Sequence, residues 1–240
     1  MRLDKLLSNT GLLSRKEAAA AARTGRITVN GSVVSRADGH VDEARDEIAL
    51  DGKPVRYAKY DYVWLNKPAG YVSATEDGRL PCVTELLPPP YDKRALFPCG
   101  RLDRDTVGWM LLTNDGQTAH SLLSPRHHVE KIYRFTCDVP LPQGAEAAFA
   151  GGMTIDGGES CKGAVLVCEP DRMGGEITLT EGKYHQVKRM IEALGSHVTF
   201  LERISFAGIP LDPSLARGAW REATEEEIKR LLSAANTKEN

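Results

Sequence analysis

From residue 62 to residue 203 the chain reads as a succession of short strand-like runs. Residues 62–66, 108–113, 132–139, 164–169, 177–180 and 197–203 have that character, and helical spacing interrupts them only at 118–123 and 184–194. A parallel sheet needs a crossover helix between neighbouring strands, so strands without regular βαβ alternation point to an α+β fold with a mainly antiparallel sheet. Gly195 marks the end of the second helix, and Thr224-Glu-Glu-Glu227 opens a last amphipathic one. The sequence predicts one larger domain over residues 61–235 and shows no internal repeat.

The first fifty residues follow another pattern. Leu3, Leu6 and Leu7 share one face of a short helix, and Ser14-Arg-Lys-Glu17 has the form of a capping box that opens a second helix, stopped at Gly25. Ile27-Thr-Val29, the Asn30-Gly31 turn and Val33-Val34 make a hairpin signature, and Glu47-Ile-Ala-Leu50 can close a small sheet. Residues 51–60 are expected to be a linker, and the Leu87-Pro-Pro-Pro90 stretch a rigid surface connection in the larger domain.

Composition narrows the class of partner. The chain has 240 residues with a net charge of −2, but residues 1–36 carry seven basic side chains against Asp4 and Glu17. That segment is net +5 and the remainder −7, so a locally basic domain can hold a polyanion although the whole chain is slightly acidic. Arg15, Lys16, Arg23 and Arg26 are its candidate contacts. Five cysteines without a C-x-x-C pair argue against a disulfide framework or zinc knuckle. No apolar run approaches membrane-spanning length, so a cytoplasmic protein without a membrane is expected.

Three polar segments can carry chemistry. Gly100-Arg-Leu-Asp-Arg-Asp-Thr106 joins two apolar stretches, where a carboxylate can be held firmly yet exposed. A salt-bridged surface loop, or a metal site on Asp103 and Asp105, fits the same spacing. Adjacent His127 and His128 on a strand would face opposite ways and could not easily share an ion. With Arg126 and Lys131 nearby, phosphate contact is the better reading. In residues 184–194 helical spacing puts Tyr184, Lys188 and Ile191 on one face, and Lys188 or Arg189 can turn inward toward an anionic partner.

Residues 1–50 resemble the small RNA-binding domain first known from a small-subunit ribosomal protein, through R-L-D-K-L-L, S-R-x-E-A and G-x-I-x-V-N-G-x-V-V. A helix–hairpin unit for dimerisation is the alternative. Residues 60–222 resemble the pseudouridine synthases of the ribosomal small-subunit branch, the RsuA family. The resemblance rests on Leu65-Asn-Lys-Pro-x-Gly-Tyr-Val72, Gly100-Arg-Leu-Asp-x-Asp-Thr-x-Gly108, Leu112-Thr-Asn-Asp-Gly116 and Ser124-Pro-Arg-His-His128. It continues through Glu130-Lys-x-Tyr133, Glu181-Gly-x-Tyr-His-Gln-Val-Lys-Arg-Met190 and Leu201-x-Arg203. Trp109 departs from the smaller aliphatic residue expected there.

That resemblance implies isomerisation of a uridine to pseudouridine in ribosomal RNA, of the small subunit above all. It maps the essential aspartate onto Asp103, the tyrosine onto Tyr133, the basic partner of the aspartate onto Lys188 and the pocket aliphatic onto Leu201. Arg101 would fill the space of a flipped base or hold a phosphate, with Arg126, His127 and Arg189 as further RNA contacts. No cofactor, no metal and a monomer are expected. The rival classes are a non-catalytic RNA-binding assembly factor and a metal-dependent nuclease.

Overall fold

The computed structural model describes residues 1–124 and 126–236, so Pro125 of the Ser124–His128 motif lies outside the described residues. The chain divides into two compact units: Met1–Asp61 with Leu87–Leu96, and Tyr62–Leu86 with the chain from Phe97 onward.

In the first unit, helices α1 (Leu3–Asn9) and α2 (Arg15–Arg23) bury Leu3, Leu6, Leu7, Ala18, Ala21 and Ala22 against one another. The capping box forms in full. Ser14 Oγ accepts the Glu17 amide at 3.2 Å, and the Glu17 carboxylate accepts the Ser14 amide at 2.7 Å, satisfying two donors that a bare helix end would leave open. Strands β1 (Ile27–Val29) and β2 (Ser32–Val33) meet at Asn30 and Gly31, whose φ values of 50° and 77° suit a tight hairpin turn. Strand β3 (Ile48–Leu50) pairs with β1, and β4 (Lys53–Pro54) pairs with β3 across an Asp51-Gly52 turn of the same kind. Residues 51–54, expected as linker, thus extend the sheet, and Val55 and Tyr57 pack on its core. The proline-rich segment also clusters here: a Cβ at Gly11, with φ of +72°, would lie 2.5 Å from the Pro90 carbonyl oxygen.

The second unit is built on a nine-stranded sheet. In chain order come β5 (Tyr62–Lys67), β6 (Phe97–Pro98), β7 (Val107–Thr113), α3 (Gly116–Leu123), β8 (Lys131–Cys137) and α4 (Ala145–Gly151). A separate hairpin of β9 (Met153–Ile155) and β10 (Glu159–Cys161) follows, then β11 (Val165–Cys168), β12 (Gly174–Leu179) and α5 (Gln186–Glu192). The chain continues through β13 (Val198–Phe206), β14 (Ile209–Pro210), β15 (Trp220–Glu222) and α6 (Glu225–Asn236). The sheet runs β11-β12-β8-β13-β7-β5-β15, with β14 on β13 and β6 on β7. Its pairings are antiparallel except that of β7 with β13, so the fold is α+β with a mainly antiparallel sheet.

The parallel junction is tight. At Gly108, with φ of +102°, a Cβ would come within 2.4 Å of the Arg203 carbonyl oxygen, which only glycine avoids. All seven residues of β7 are buried. Trp109 stacks on Trp64 with ring centroids 4.6 Å apart and 7° between planes, and Phe206 meets Trp64 edge-on. The large ring therefore fills the core under α3 and α6, where a smaller side chain was expected.

Three features depart from expectation. Helix α4 and the β9–β10 hairpin carry no strong local signal. Helix α5 starts at Gln186 rather than Tyr184, because His185 takes a left-handed conformation with φ of 49°. Tyr184 is consequently exposed whereas Ile191 is buried, so the two do not share a helical face with Lys188. His127 and His128 lie in a turn after α3 rather than on a strand. Among the described residues no helix is long and apolar enough to cross a membrane, and all five cysteines are free thiols.

Candidate active site

The 100–106 loop is fixed by groups from the end of β5 and the turn after it. Lys67, fully buried, donates its ammonium to the carbonyls of Asp103 at 3.0 Å and Thr106 at 2.8 Å, with longer contacts to Pro68 and Arg104. Ser73 Oγ donates to the Leu102 carbonyl at 2.7 Å and accepts the Leu102 amide at 2.9 Å. The Gly70 amide donates to the Arg104 carbonyl at 2.8 Å. The lysine–proline–glycine motif and the arginine–leucine–aspartate motif, some thirty-five residues apart, are therefore one physical unit. Burial pushes the Lys67 ammonium down to about 8, partly offset by the charges of Asp103 and Asp105.

We expect Lys67→Met to destabilise the fold by about 1–3 kcal/mol, since it strips buried carbonyls of their donor, and to slow turnover by loosening the aspartate loop. Denaturant unfolding and single-turnover rates check both. Unchanged stability together with an unchanged rate would remove Lys67 from this role.

Asp103 projects from that loop into a cleft of about 390 Å³, a volume in the range of small-ligand sites. Tyr133 of β8 and Leu201 of β13 line it, as does exposed Arg101. Lys188 of α5 does not line the cleft but reaches the carboxylate, its Nζ lying 3.0 Å from Asp103 Oδ2 and 2.6 Å from Asp105 Oδ1. A lysine ammonium thus bridges the two carboxylates that the loop spacing brings together. For Asp105, burial would raise the carboxyl, but the Lys188 hydrogen bond and charge outweigh it and hold it below its ordinary value. Burial likewise opposes the Lys188 charge, and its hydrogen bonds to Asp105 and Asp103 reverse this and raise it, so the ammonium stays charged at neutral pH.

Sequence reasoning did not single out His185, although it lies inside a quoted motif. Its Nε2 is 3.5 Å from Asp103 Oδ1, and its ring stacks on exposed Tyr184 with centroids 3.8 Å apart. Lys131 and Arg203, both buried, also line the cleft.

The remaining expected contacts lie elsewhere or are engaged. Arg189 pairs with Asp156, with Glu159 at 2.7 Å, and donates to the Tyr184 carbonyl at 3.1 Å, so its guanidinium fastens α5 to the β9–β10 hairpin instead of standing open to RNA. Arg126 is exposed and His127 half-buried in the turn after α3, neither lining the cleft. In the first unit Lys16 and Arg23 are exposed, while Arg15 pairs with Asp4 at 2.9 Å and Arg26 with Asp51 at 2.5 Å.

Tyr133 and Asp103 thus line one cleft, with Lys188 paired to the carboxylate. Comparison with known proteins gives the class. The family model described as RNA pseudouridylate synthase matches residues 61–193, and that of the S4 domain matches residues 1–48. The chain belongs to the RNA pseudouridylate synthase family, and it carries an RNA-binding S4 domain at its N-terminal end. It is 44% identical over 231 residues to an uncharacterized RNA pseudouridine synthase of Bacillus subtilis (strain 168), covering 95% of this chain and 97% of the relative. It is 42% identical over 231 residues to the ribosomal small subunit pseudouridine synthase A of Escherichia coli (strain K12), covering 95% and 98%. A crystal structure of a pseudouridylate synthase superposes with a TM-score of 0.67 at 36% identity, over 96% of this chain and 99% of that one.

Proposed function

We propose that this enzyme isomerises a specific uridine in small-subunit ribosomal RNA, acting as a cytoplasmic monomer, with Asp103 as the reacting carboxylate. The observation that carries the site assignment is the Asp103–Lys188 pair at 3.0 Å at a cleft lined by Tyr133. The small-subunit target rests on the similarity to the Escherichia coli relative, which extends over both units of the chain.

The reaction breaks the bond between C1′ and N1, turns the uracil and joins C5 to C1′. It needs a carboxylate at the sugar–base junction and walls that retain the detached ring. Lys188 sets a fixed positive charge 3.0 Å from the Asp103 carboxylate. Tyr133 offers a ring for stacking, and Arg101 of the cleft lining can take the place of the base that leaves its helix. The test is tritium release from ribosomal RNA labelled at uracil C5, in the presence of chelator. Release at one site in small-subunit RNA supports the reading. RNA binding without release would indicate an assembly factor, and metal-dependent strand scission a nuclease.

The first unit, Met1–Asp61 with Leu87–Leu96, acts in this reading as the docking domain, and the second unit carries the catalytic site. Lys16 and Arg23 lie seven positions apart on α2, on the same side of the helix and open to solvent. Replacing both with alanine should weaken RNA binding and lower the salt dependence by about two units of slope, one per lost phosphate contact. The rate at saturating RNA should change little. Binding titrations across a salt series check this, and an unaltered slope would favour the dimerisation reading.

A further inference from the structure

Lining the cleft are two buried cations with no carboxylate partner among the described residues. Lys131 and Tyr133 stand two apart on β8 and so project to the same side of the sheet, and Arg203 of β13 is the register partner of Tyr133. Both cations line the cleft, with residue exposures of 6% for Lys131 and 1% for Arg203. The Lys131 ammonium donates to the Val129 carbonyl at 2.8 Å and lies 5.9 Å from the Phe206 ring centroid. The Arg203 Nε donates to the Trp109 carbonyl at 2.6 Å, while its Nη2 has no partner among the described residues. The carboxylate nearest in function, Asp103, is already paired with Lys188.

Burying two like charges side by side is unfavourable unless something anionic visits them. Burial, with the nearby Arg203 charge adding to it, pushes Lys131 down to about 8, so near neutrality its charge persists under strain. A fixed nucleobase is neutral and would not repay that arrangement. A ring that has just lost its sugar is an anion.

We infer that Lys131 and Arg203 form an anion subsite in the cleft lining that holds the uracil ring as its anion after it leaves the sugar. The inference rests on the function proposed above. When the C1′–N1 bond breaks, its electron pair stays with the ring, and the negative charge spreads over the ring nitrogens and oxygens. When C5 bonds to C1′ that charge returns to the new bond, the C5 hydrogen departs as a proton and N1 gains one. The two cations stabilise only the interval between, so they would act on the chemical step and not on binding of intact RNA. A backbone phosphate is the other anion such cations can take, and it would act on binding instead.

The experiment compares wild type, Lys131→Met and Arg203→Lys on two full-length RNAs, one with uridine and one with 5-fluorouridine at the target. Fluorine makes the departing ring a weaker base, so it needs less help. Nucleoside analysis after single turnover follows consumption of each target, and equilibrium binding across a salt series follows affinity. Lys131→Met should react about 100-fold more slowly on uridine RNA, with affinity and salt slope unchanged and a much smaller loss on the fluorinated RNA. Arg203→Lys keeps its charge but withdraws Nη2, and it should show the same pattern more weakly. It serves alone should Lys131→Met fail to fold. Equal losses on both RNAs, no loss, or lost affinity with a reduced salt slope would each overturn the subsite, the last indicating a phosphate contact. If wild type leaves the uridine untouched, the function falls and the inference with it.

Discussion

Asp103→Asn should reduce isomerisation by a factor on the order of 10⁴ or more, as expected when a reacting group is removed outright, while RNA affinity stays nearly constant. The amide preserves the shape of the side chain and removes its charge and its capacity to attack or to accept a proton. The loop itself should stand, because it is held through backbone carbonyls by Lys67 and through Leu102 by Ser73. Lys188 retains Asp105 as a partner at 2.6 Å, so the substitution does not strand a cation. Single-turnover tritium release and a binding titration separate the two effects. Appreciable turnover by the purified variant would remove Asp103 from its assigned place in the reaction.

Lys188→Met is the second large effect. It withdraws the charge between two carboxylates and leaves Asp103 and Asp105 to repel each other across the loop. A fall of about 10² to 10³ in kcat is expected, the size associated with losing one well-placed charged donor in an active site. KM should change much less, since Lys188 does not line the cleft. Lys188→Arg should restore part of the rate, because a guanidinium can still bridge two carboxylates. A normal kcat in the methionine variant would mean that the ion pair only decorates the surface.

Legibility in the sequence followed the range of the interaction. The Ser14–Glu17 capping box and the Asn30-Gly31 turn were readable because each is settled within four residues, and both formed as expected. The Asp51-Gly52 turn carries an equally local signal, and it closes a strand pair inside the segment that composition alone marks as linker. Lys67 was quoted only as part of a motif. Nothing local says that a lysine ending a strand will be buried with its ammonium under a loop thirty-six residues away. Arg203 and Lys131 are the same case on neighbouring strands. The Asp103–Lys188 contact is still longer in range, and the residues on their own spacing favoured a solvated surface. It became legible only through resemblance to a family. Arg189 shows the converse limit: a basic residue next to a functional one was expected to meet RNA, yet its acidic partners come from a hairpin that no pattern had suggested.

The parallel junction of β7 and β13 bears on how such a chain reaches its native state. It pairs Val107 with Glu202 and Gly108 with Arg203, joining segments ninety-five residues apart. Most neighbouring strands can zip up through shorter connections, but this closure must wait for nearly everything between. Leu201 and Arg203 arrive at the cleft only when it does, and the loop holding Asp103 runs directly into the strand that receives them. A nascent chain can therefore complete its small N-terminal helix–hairpin unit long before it is competent in chemistry. The cleft, and whatever chemistry it serves, waits on that seam, the one place among the described strands where the sheet changes direction.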